Sequence, residues 1–171
     1  INALTYSIEE SAIYISCRHL SRITKIYFNF QDYTDENNGE IIWNIGQDMP
    51  SGDVHCGHDI KFSWQHSLTV EEIDNVSNIT FLDNGNLSQI LLNSLDPTSR
   101  GIEIAVTDNG NFVNPSCETN VIWEHELPGE LFGYASGNVQ KLNNGNYLIS
   151  IDIVLTSIDI ELTSALTSIN I

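Results

Sequence analysis

The fold is most clearly indicated by the segment Tyr14-Ile15-Ser16-Cys17-Arg18-His19-Leu20-Ser21-Arg22-Ile23-Thr24-Lys25-Ile26-Tyr27-Phe28. It is rich in Ile, Tyr, Phe and Thr, which favour β-strands. It also contains three of the six Lys and Arg residues in a chain whose formal net charge is −17. Clustered cations on a strand-rich scaffold in an acidic protein predict a local site for an anion.

Composition narrows the classes of partner. The 171 residues fit one domain, and the 41% apolar and 17% charged content is typical of a globular chain. Binding to nucleic acid or to an anionic membrane surface needs a broad basic surface, so neither is expected. No run approaches the roughly 20 apolar residues of a membrane span. Because the chain begins with Ile1 and not Met, we expect it to be part of a longer protein.

Short β-branched and aromatic runs, bounded by Asn, Asp and Gly, predict many short strands. They cover residues 3–6, 12–16, 22–28, 40–45, 79–82, 101–107, 121–125, 138–142 and 147–151. Asn-Gly pairs around Gly85, Gly110 and Gly145 predict tight type I′ turns. Residues 49–61 read as a long irregular loop, and residues 87–100 as a loop with one short helical turn.

A strand ending in Trp occurs twice, at Trp43 and at Trp123, 80 residues apart. This interval is about twice the roughly 40-residue period of a propeller blade. The spacing favours a β-propeller, with a β-sandwich as the alternative, since both use the same turns. At roughly 40–45 residues a blade, the chain would hold three to four blades.

The three cysteines lie in different sequence contexts. Cys17 lies in a strand-like run and is expected to be a buried thiol, whereas Cys56 and Cys117 could form a disulfide in an oxidising compartment. In residues 150–171 the phrase Ser-Ile-Asp-Ile recurs, and the segment has low complexity. It is expected to be an extended edge strand, and no function is assigned to it.

Two residues could carry out group transfer. An Arg donates two parallel hydrogen bonds to the oxygens of a sulfuryl or phosphoryl group, as Arg18 could. A neutral imidazole such as that of His66 can attack the group and hold it covalently. Taken singly, Arg18 also fits a surface cation and His66 a structural histidine.

Several motifs occur in an order that resembles the arylsulfotransferase (aryl-sulfate sulfotransferase) family, over residues 1 to about 149. They are Ile1-Asn2-Ala3, Ser16-Cys17-Arg18-His19, Gly39-Glu40-Ile41-Ile42-Trp43, Trp64-Gln65-His66, Phe81-Leu82-Asp83-Asn84-Gly85, Ser99-Arg100-Gly101, Trp123-Glu124-His125-Glu126, Gly137-Asn138-Val139-Gln140 and Asn144-Gly145-Asn146-Tyr147. The resemblance implies an all-β fold, a partial β-propeller with about three to four of six blades, followed by the unassigned tail at 150–171.

The resemblance also implies a reaction and its residues. His66 would be the catalytic nucleophile and become sulfated transiently, while Asn2 and Arg18 would bind the sulfuryl oxygens. His19, Trp64 and Arg100 are further candidates, since they fall in or beside the matching motifs. The donor would be an aryl sulfate and the acceptor a phenol, with no cofactor, in a periplasmic or secreted setting. Arg22 and Lys25 are expected to be cations on the surface of a blade.

Two alternatives remain open. The family's H-x-N histidine would precede Ile1, so the chain could be a non-catalytic propeller module that binds a partner or carbohydrate. A metal site is the other alternative, since His55, Cys56 and His58 lie close in sequence beside Asp59. The H-x-x-H spacing normally requires two further ligands, so a solvated loop is the preferred interpretation and no metal is expected.

Overall fold

Three antiparallel sheets organise the computed structural model, which describes residues 1–47, 53–74 and 76–152 and the backbone of Ser164–Ile169. Sheet 1 contains β1 (Ala3–Ser7), β2 (Ala12–Cys17), β3 (Arg22–Tyr27) and β4 (Ile41–Gly46). Sheet 2 contains β5 (His66–Ile73), β6 (Val76–Asp83), β7 (Arg100–Asp108) and β8 (Cys117–Glu126). Sheet 3 contains β9 (Asn138–Lys141), β10 (Tyr147–Asp152) and β11 (Ser164–Ile169). The helical pieces are α1 (Ser88–Leu91) and two 3-10 turns, Arg18–Leu20 and Gly129–Leu131.

Each sheet is a meander in which every strand pairs with the next strand along the chain. The prediction of an all-β, antiparallel fold is therefore confirmed. Within the described ranges none of the three sheets closes on itself. The short helix α1 also falls inside the loop in which one helical turn was expected.

The expected blade period of about 40 residues is wrong. Trp43 lies in β4 and Trp123 in β8, and each is the fourth strand of its sheet. The 80-residue interval is therefore one step from sheet to sheet, not two. Long connections at 28–40 and 84–99 lengthen each unit, and strand patterns alone do not reveal which strand of a sheet a Trp belongs to.

Side chains alternate between two apolar layers. On β2, Tyr14 points toward sheet 2, where Ile79 and Phe81 of β6 are fully buried. The opposite face of sheet 2 packs on sheet 3 around Leu82. Further members of the first layer are Ile23, Trp43, Ile45, Phe62, Ile102, Ile104 and Val106, and of the second Val139, Tyr147, Ile149 and Ile151. These layers fix the relative positions of the three sheets because burial of apolar area is the dominant favourable term in folding.

The predicted type I′ turns are wrong. Backbone φ is positive at Gly85 (+67°), Gly110 (+61°) and Gly145 (+86°), but not at the Asn before each of them. A type I′ turn needs positive φ at both central residues. The connections are also longer than two residues, spanning 84–99, 109–116 and 142–146.

A disulfide joins Cys56 to Cys117, with 5.8 Å between the Cα atoms, so the predicted pairing is confirmed. It ties the loop before β5 to the first residue of β8. Because both sulfur atoms are in the disulfide, Cys56 offers no thiolate to a metal. In the described part of the chain no three His, Cys, Asp or Glu side chains are grouped for a metal ion.

The prediction that Arg22 and Lys25 are surface cations is wrong. Only 7% of Arg22 and 4% of Lys25 is exposed. Arg22 makes a bidentate pair with Asp53, at 2.8 Å for both contacts. Lys25 Nζ lies 2.6 Å from Glu10 and 2.9 Å from Asp108. Both cations stand on β3, an inner strand of sheet 1, and carboxylates from neighbouring segments neutralise them there.

The predicted edge strand in the tail has a counterpart in β11, which pairs with β10. Strand β10 itself runs across the predicted boundary at residue 149 to Asp152. Residues 153–163 and 170–171 of the tail, and 48–52 of the predicted loop, lie outside the described residues. In the described segments no helix has the length and apolar character needed to cross a membrane.

Candidate functional site

Asn2, Arg18 and His66 lie at one end of sheets 1 and 2. Asn2 precedes β1 and Arg18 follows β2, and these ends meet because the two strands are antiparallel. His66 is the first residue of β5, which lies beside β1. Asn2 Nδ2 donates to the carbonyl oxygen of Gln65 at 2.6 Å. Asn2 and Arg18 are 16 positions apart in sequence, and Arg18 and His66 are 48 positions apart, yet all three lie at this end of the sheets.

Arg18 is half-buried between two aromatic rings. Its Cζ lies 4.5 Å from the centroid of Trp64 and 5.8 Å from that of Tyr134. Its Nη2 donates to the Tyr134 carbonyl oxygen at 3.1 Å, and its Nη1 donates to His19 Nε2 at 3.0 Å. The Nε–H is buried and has no hydrogen-bond partner among the described residues. Of the five N–H groups of the guanidinium, the one on Nε is therefore both buried and unused.

Arg18 also differs from the other cations in charge pairing. The chain has six Lys and Arg residues, and four of them form salt bridges with carboxylates: Arg22, Lys25, Arg100 and Lys141. Lys61 is exposed on a loop. Arg18 forms no salt bridge within the described segments, although the chain has 23 acidic residues. Its charge is therefore available to an external anion.

His66 is held from two sides. Its Nδ1 lies 2.6 Å from Asn84 Oδ1, and the backbone N–H of Ser136 points to its Nε2 at 3.4 Å. Asn84 is fully buried, and its Nδ2 donates to the carbonyl oxygens of Gly133 (2.6 Å) and Ser136 (3.0 Å). The ring is therefore positioned by the end of β6 and by the segment before β9.

The backbone is irregular on both sides of Gln65 and His66. Trp64 has a φ of +56° and Ser67 a φ of +63°, values that L-residues seldom adopt, and the β5–β6 register shifts after His66. Gln65 is fully buried, and its Nε2 donates to Ser16 Oγ (3.0 Å) and to the Arg22 carbonyl oxygen (2.8 Å). Gln65 thus anchors the stretch on sheet 1, while the Trp64 ring contacts Arg18 and the His66 ring contacts Asn84.

Residues 133–137, here called the covering segment, contact both Arg18 and His66. Gly133 N–H donates to Ser99 Oγ at 3.0 Å. At the other end Gly137 has a φ of +105°, and a Cβ there would collide with Leu82 and with the carbonyl oxygen of Ser150. Sequence reasoning missed this segment and also Asn84, which was read as a turn residue. The usable signal was the glycine at each end of 133–137.

Arg100 lies apart from this cluster. Its guanidinium donates to Asp83 at 2.8 and 2.6 Å, to Glu124 at 2.6 Å, and to the carbonyl oxygens of Ile60 and Lys61. Burial disfavours the charged form of Arg100, but the two carboxylates outweigh it and raise its pKa. Burial raises the pKa of Asp83, and Arg100 opposes that rise. Arg100 is therefore fully engaged in supporting the chain that leads into Trp64.

His19 and Trp64, in contrast, belong to the cluster. The exposed ring of His19 meets Trp64 edge-on, with 5.4 Å between the ring centroids. Trp64 and Tyr134 are also edge-on, at 6.2 Å. Three aromatic rings and one cation thus form a patch, made of His19, Trp64, Tyr134 and Arg18, beside the His66 imidazole.

The chain matches no model of a protein family, no curated protein and no solved structure.

Proposed function

We propose that the chain is part of an arylsulfotransferase-like β-propeller that transfers a sulfuryl group from an aryl sulfate to a phenol through His66. The fold supports the first part. Two of the sheets are complete four-stranded meanders, the sheet type of a propeller blade. The first strands of the three sheets are neighbours, β1 beside β5 and β5 beside β9, as inner strands around a common axis would be.

The observation that carries the reaction is that Arg18 and His66 contact the same short segment, Arg18 at the Tyr134 carbonyl oxygen and His66 at the Ser136 N–H. The Arg18 guanidinium is half-buried and has no carboxylate partner among the described residues, although the net charge of the chain is −17. Guanidinium is well suited to sulfate because its planar fork matches two oxygens and it is weakly hydrated. The amide of Asn2 has two hydrogens and donates one to the Gln65 carbonyl oxygen, so the other can be donated to the third sulfuryl oxygen.

The steps balance with the two substrates alone. The Nε2 lone pair of His66 attacks sulfur, the N–S bond forms, and the S–O bond to the arene breaks with its electron pair leaving on the phenolate. After the phenolate has left, a second phenol loses its proton to water and attacks the same sulfur, so that the N–S bond breaks and the imidazole is restored. Arg18 and Asn2 hold the sulfuryl oxygens throughout, so the donors are oriented before charge develops on them.

The aromatic patch supports an aryl group as the carrier. Trp64 and Tyr134 pair edge-on with each other beside Arg18, and their rings offer apolar surface to which an aryl group can pack. Ser136 N–H lies 3.4 Å from Nε2, so substrate entry must displace the covering segment. The disulfide supports a periplasmic or secreted setting, since disulfides persist in oxidising compartments.

The test is transfer of the sulfuryl group from p-nitrophenyl sulfate to a phenol. The reaction is measured by the release of p-nitrophenolate. The full-length protein should show ping-pong kinetics and a sulfated His66 by mass spectrometry, and His66→Ala should abolish both. Arg18→Lys should lower kcat by about 10²–10³-fold, the loss typical of one positioned donor. Lys61→Gln is the matched control, because it removes an exposed cation away from the patch. Undiminished transfer in His66→Ala would refute the assignment.

A non-catalytic binding module is the second candidate. One observation favours it: the covering segment already forms hydrogen bonds with both side chains. Ser136 N–H donates to His66, and the Tyr134 carbonyl oxygen accepts from Arg18. This candidate predicts that an aryl sulfate binds, as measured by calorimetry, and that Arg18→Lys weakens the binding. It also predicts no mass increase on His66, so a sulfated histidine would exclude it.

A further inference from the structure

We infer that Asn84 fixes neutral His66 in the tautomer that carries its proton on Nδ1, leaving the lone pair on Nε2. Asn84 is thereby a positioning residue, since it acts through His66 and not on a substrate. The role assigned to the tautomer in sulfuryl transfer rests on the proposed function, whereas the tautomer itself does not.

The first step is the orientation of the Asn84 amide. Its Nδ2 lies 2.6 Å from the Gly133 carbonyl oxygen and 3.0 Å from that of Ser136. Carbonyl oxygens only accept hydrogen bonds, so the group facing them must be the NH₂. A flipped amide would set an oxygen against two oxygens in a place where Asn84 is fully buried and water cannot compensate. The Oδ1 of Asn84 therefore faces His66.

The second step concerns the imidazole. Oδ1 only accepts, and it lies 2.6 Å from His66 Nδ1, so Nδ1 must be the donor. A neutral imidazole carries a proton on one nitrogen only, so Nε2 keeps a lone pair. The Ser136 N–H points at Nε2 from 3.4 Å, an independent contact that also requires an acceptor there. At this length it is the weaker of the two constraints.

The consequence for reactivity follows from position. Nε2 is the nitrogen that faces the covering segment, which also contacts Arg18. A lone pair fixed on Nε2 is directed toward the side on which a sulfuryl group bound by Arg18 would lie. The Asn84 amide also joins His66 to the covering segment, because its two donors hold the carbonyls of residues 133 and 136.

The tautomer can be read directly from the nitrogen shifts of the full chain with ¹⁵N-labelled histidine, at a pH where the rings are neutral. The signal of His66 is assigned by its loss in His66→Gln. His55 is an internal control of the opposite kind: its Nδ1 accepts the Asn44 N–H at 2.8 Å, so its proton must be on Nε2. Burial lowers the pKa of His55, which keeps that ring neutral. A proton on Nε2 of His66 in the unmodified chain would overturn the inference without any variant.

Two substitutions separate the role of Asn84 Oδ1, which accepts from His66, from that of Asn84 Nδ2, which holds the covering segment. Asn84→Asp keeps an oxygen toward Nδ1 but loses both donors to the covering segment, whereas Asn84→Leu loses both functions. The inference predicts that His66 keeps the Nδ1 proton in Asn84→Asp and loses this preference in Asn84→Leu, with His55 unchanged in each. The same tautomer in both variants would show that Asn84 does not set it. If His66 has its proton on Nδ1 but the chain never forms sulfohistidine, the proposed function is refuted and this inference stands.

Discussion

A cluster of acidic groups around Tyr14 joins sheet 1 to sheet 2. The Tyr14 hydroxyl lies 2.6 Å from Glu10, 2.7 Å from Glu72 and 3.0 Å from Ser77. A phenol has one proton, so it cannot donate to two carboxylates at once, and one carboxyl must be protonated. Glu10 is also paired with Lys25, 2.6 Å away. The proton is therefore expected on Glu72.

The pKa values agree with this assignment. Burial, followed by the hydrogen bond with Glu10, raises the pKa of Glu72 from 4.5 to about 7. Burial also acts to raise the pKa of Glu10, but the hydrogen bonds with Glu72, Lys25 and Tyr14 outweigh it and lower that pKa. Between pH 4.5 and about 7 the folded chain thus holds a proton on Glu72 that the unfolded chain has lost. Stability must fall as the pH rises through this window. The lowered pKa of Glu10 matters only below the window.

The size of the effect follows from the same values. At about 1.36 kcal/mol for each pH unit between the two pKa values, the upper limit is about 3.4 kcal/mol. Glu72 is partly exposed, and solvent screening reduces such interactions, so about 1–2 kcal/mol is expected. The assay is urea unfolding of the full chain between about pH 5 and 8, where Glu72 passes from protonated to ionised.

Glu72→Gln should flatten this pH dependence and make the chain more stable than the unmodified protein at the upper end. Gln has the shape of the neutral acid and retains an amide donor toward Glu10 and Tyr14. Glu71→Gln, on the exposed side of the same strand, removes the same charge and should leave the slope unchanged. Equal slopes for Glu72→Gln and the unmodified chain would refute the assignment of the proton to Glu72.

Three further outcomes are expected from unfolding experiments. Reduction of the Cys56–Cys117 disulfide should lower the free energy of unfolding by about 4 kcal/mol in the chain-entropy model, given the sequence separation of 61; an unchanged value after reduction would contradict this. Gly85→Ala should be far more destabilising than Gly110→Ala, because both have φ near +60° but only the Cβ at residue 85 would collide with the Thr98 carbonyl. The Gly110 variant should lose about 1–2 kcal/mol, the left-handed backbone cost alone, and equal losses would argue against the collision. Arg100→Met should cost about 3–5 kcal/mol, since it strands a buried carboxylate, and weakened ligand binding at unchanged stability would instead place Arg100 in the binding site.

Most strands could be predicted from the sequence because β-branched and aromatic residues mark them directly. The predicted strands at 12–16 and 147–151 differ from β2 and β10 by one residue at their ends. Strand β5 was missed, since Leu68 and Val70 stand alone among Ser, Thr and Glu residues and the register shift after His66 interrupts the pairing with β6. Strand order in a sheet depends on connection length and pairing, which explains why the period read from Trp43 and Trp123 was wrong.

The candidate site was predictable where residue chemistry is local and not where it depends on packing. Arg18 and His66 could be selected by type and motif, and both contact the covering segment in the structure. Asn84 could not be selected as a partner of His66, because a contact across 18 residues is set by the β5–β6 register. The covering segment depends on a third sheet, whose position no pattern in the first two reveals.

The opening segment holds three cations, and the structure gives them different environments. Arg22 and Lys25 face loops and strand ends that supply carboxylates, whereas Arg18 faces rings and a carbonyl. No carboxylate pairs with Arg18 among the described residues, although the chain has 23 acidic residues. Holding a half-buried charge without a counter-charge opposes folding, because burial penalises the charged form. That cost is offset in the free protein by contacts with aromatic rings and by hydrogen bonds to His19 and the Tyr134 carbonyl, and an anion bound to the guanidinium would offset it more fully. The surrounding negative field repels anions at long range, so selection among them depends on contacts inside the aromatic patch.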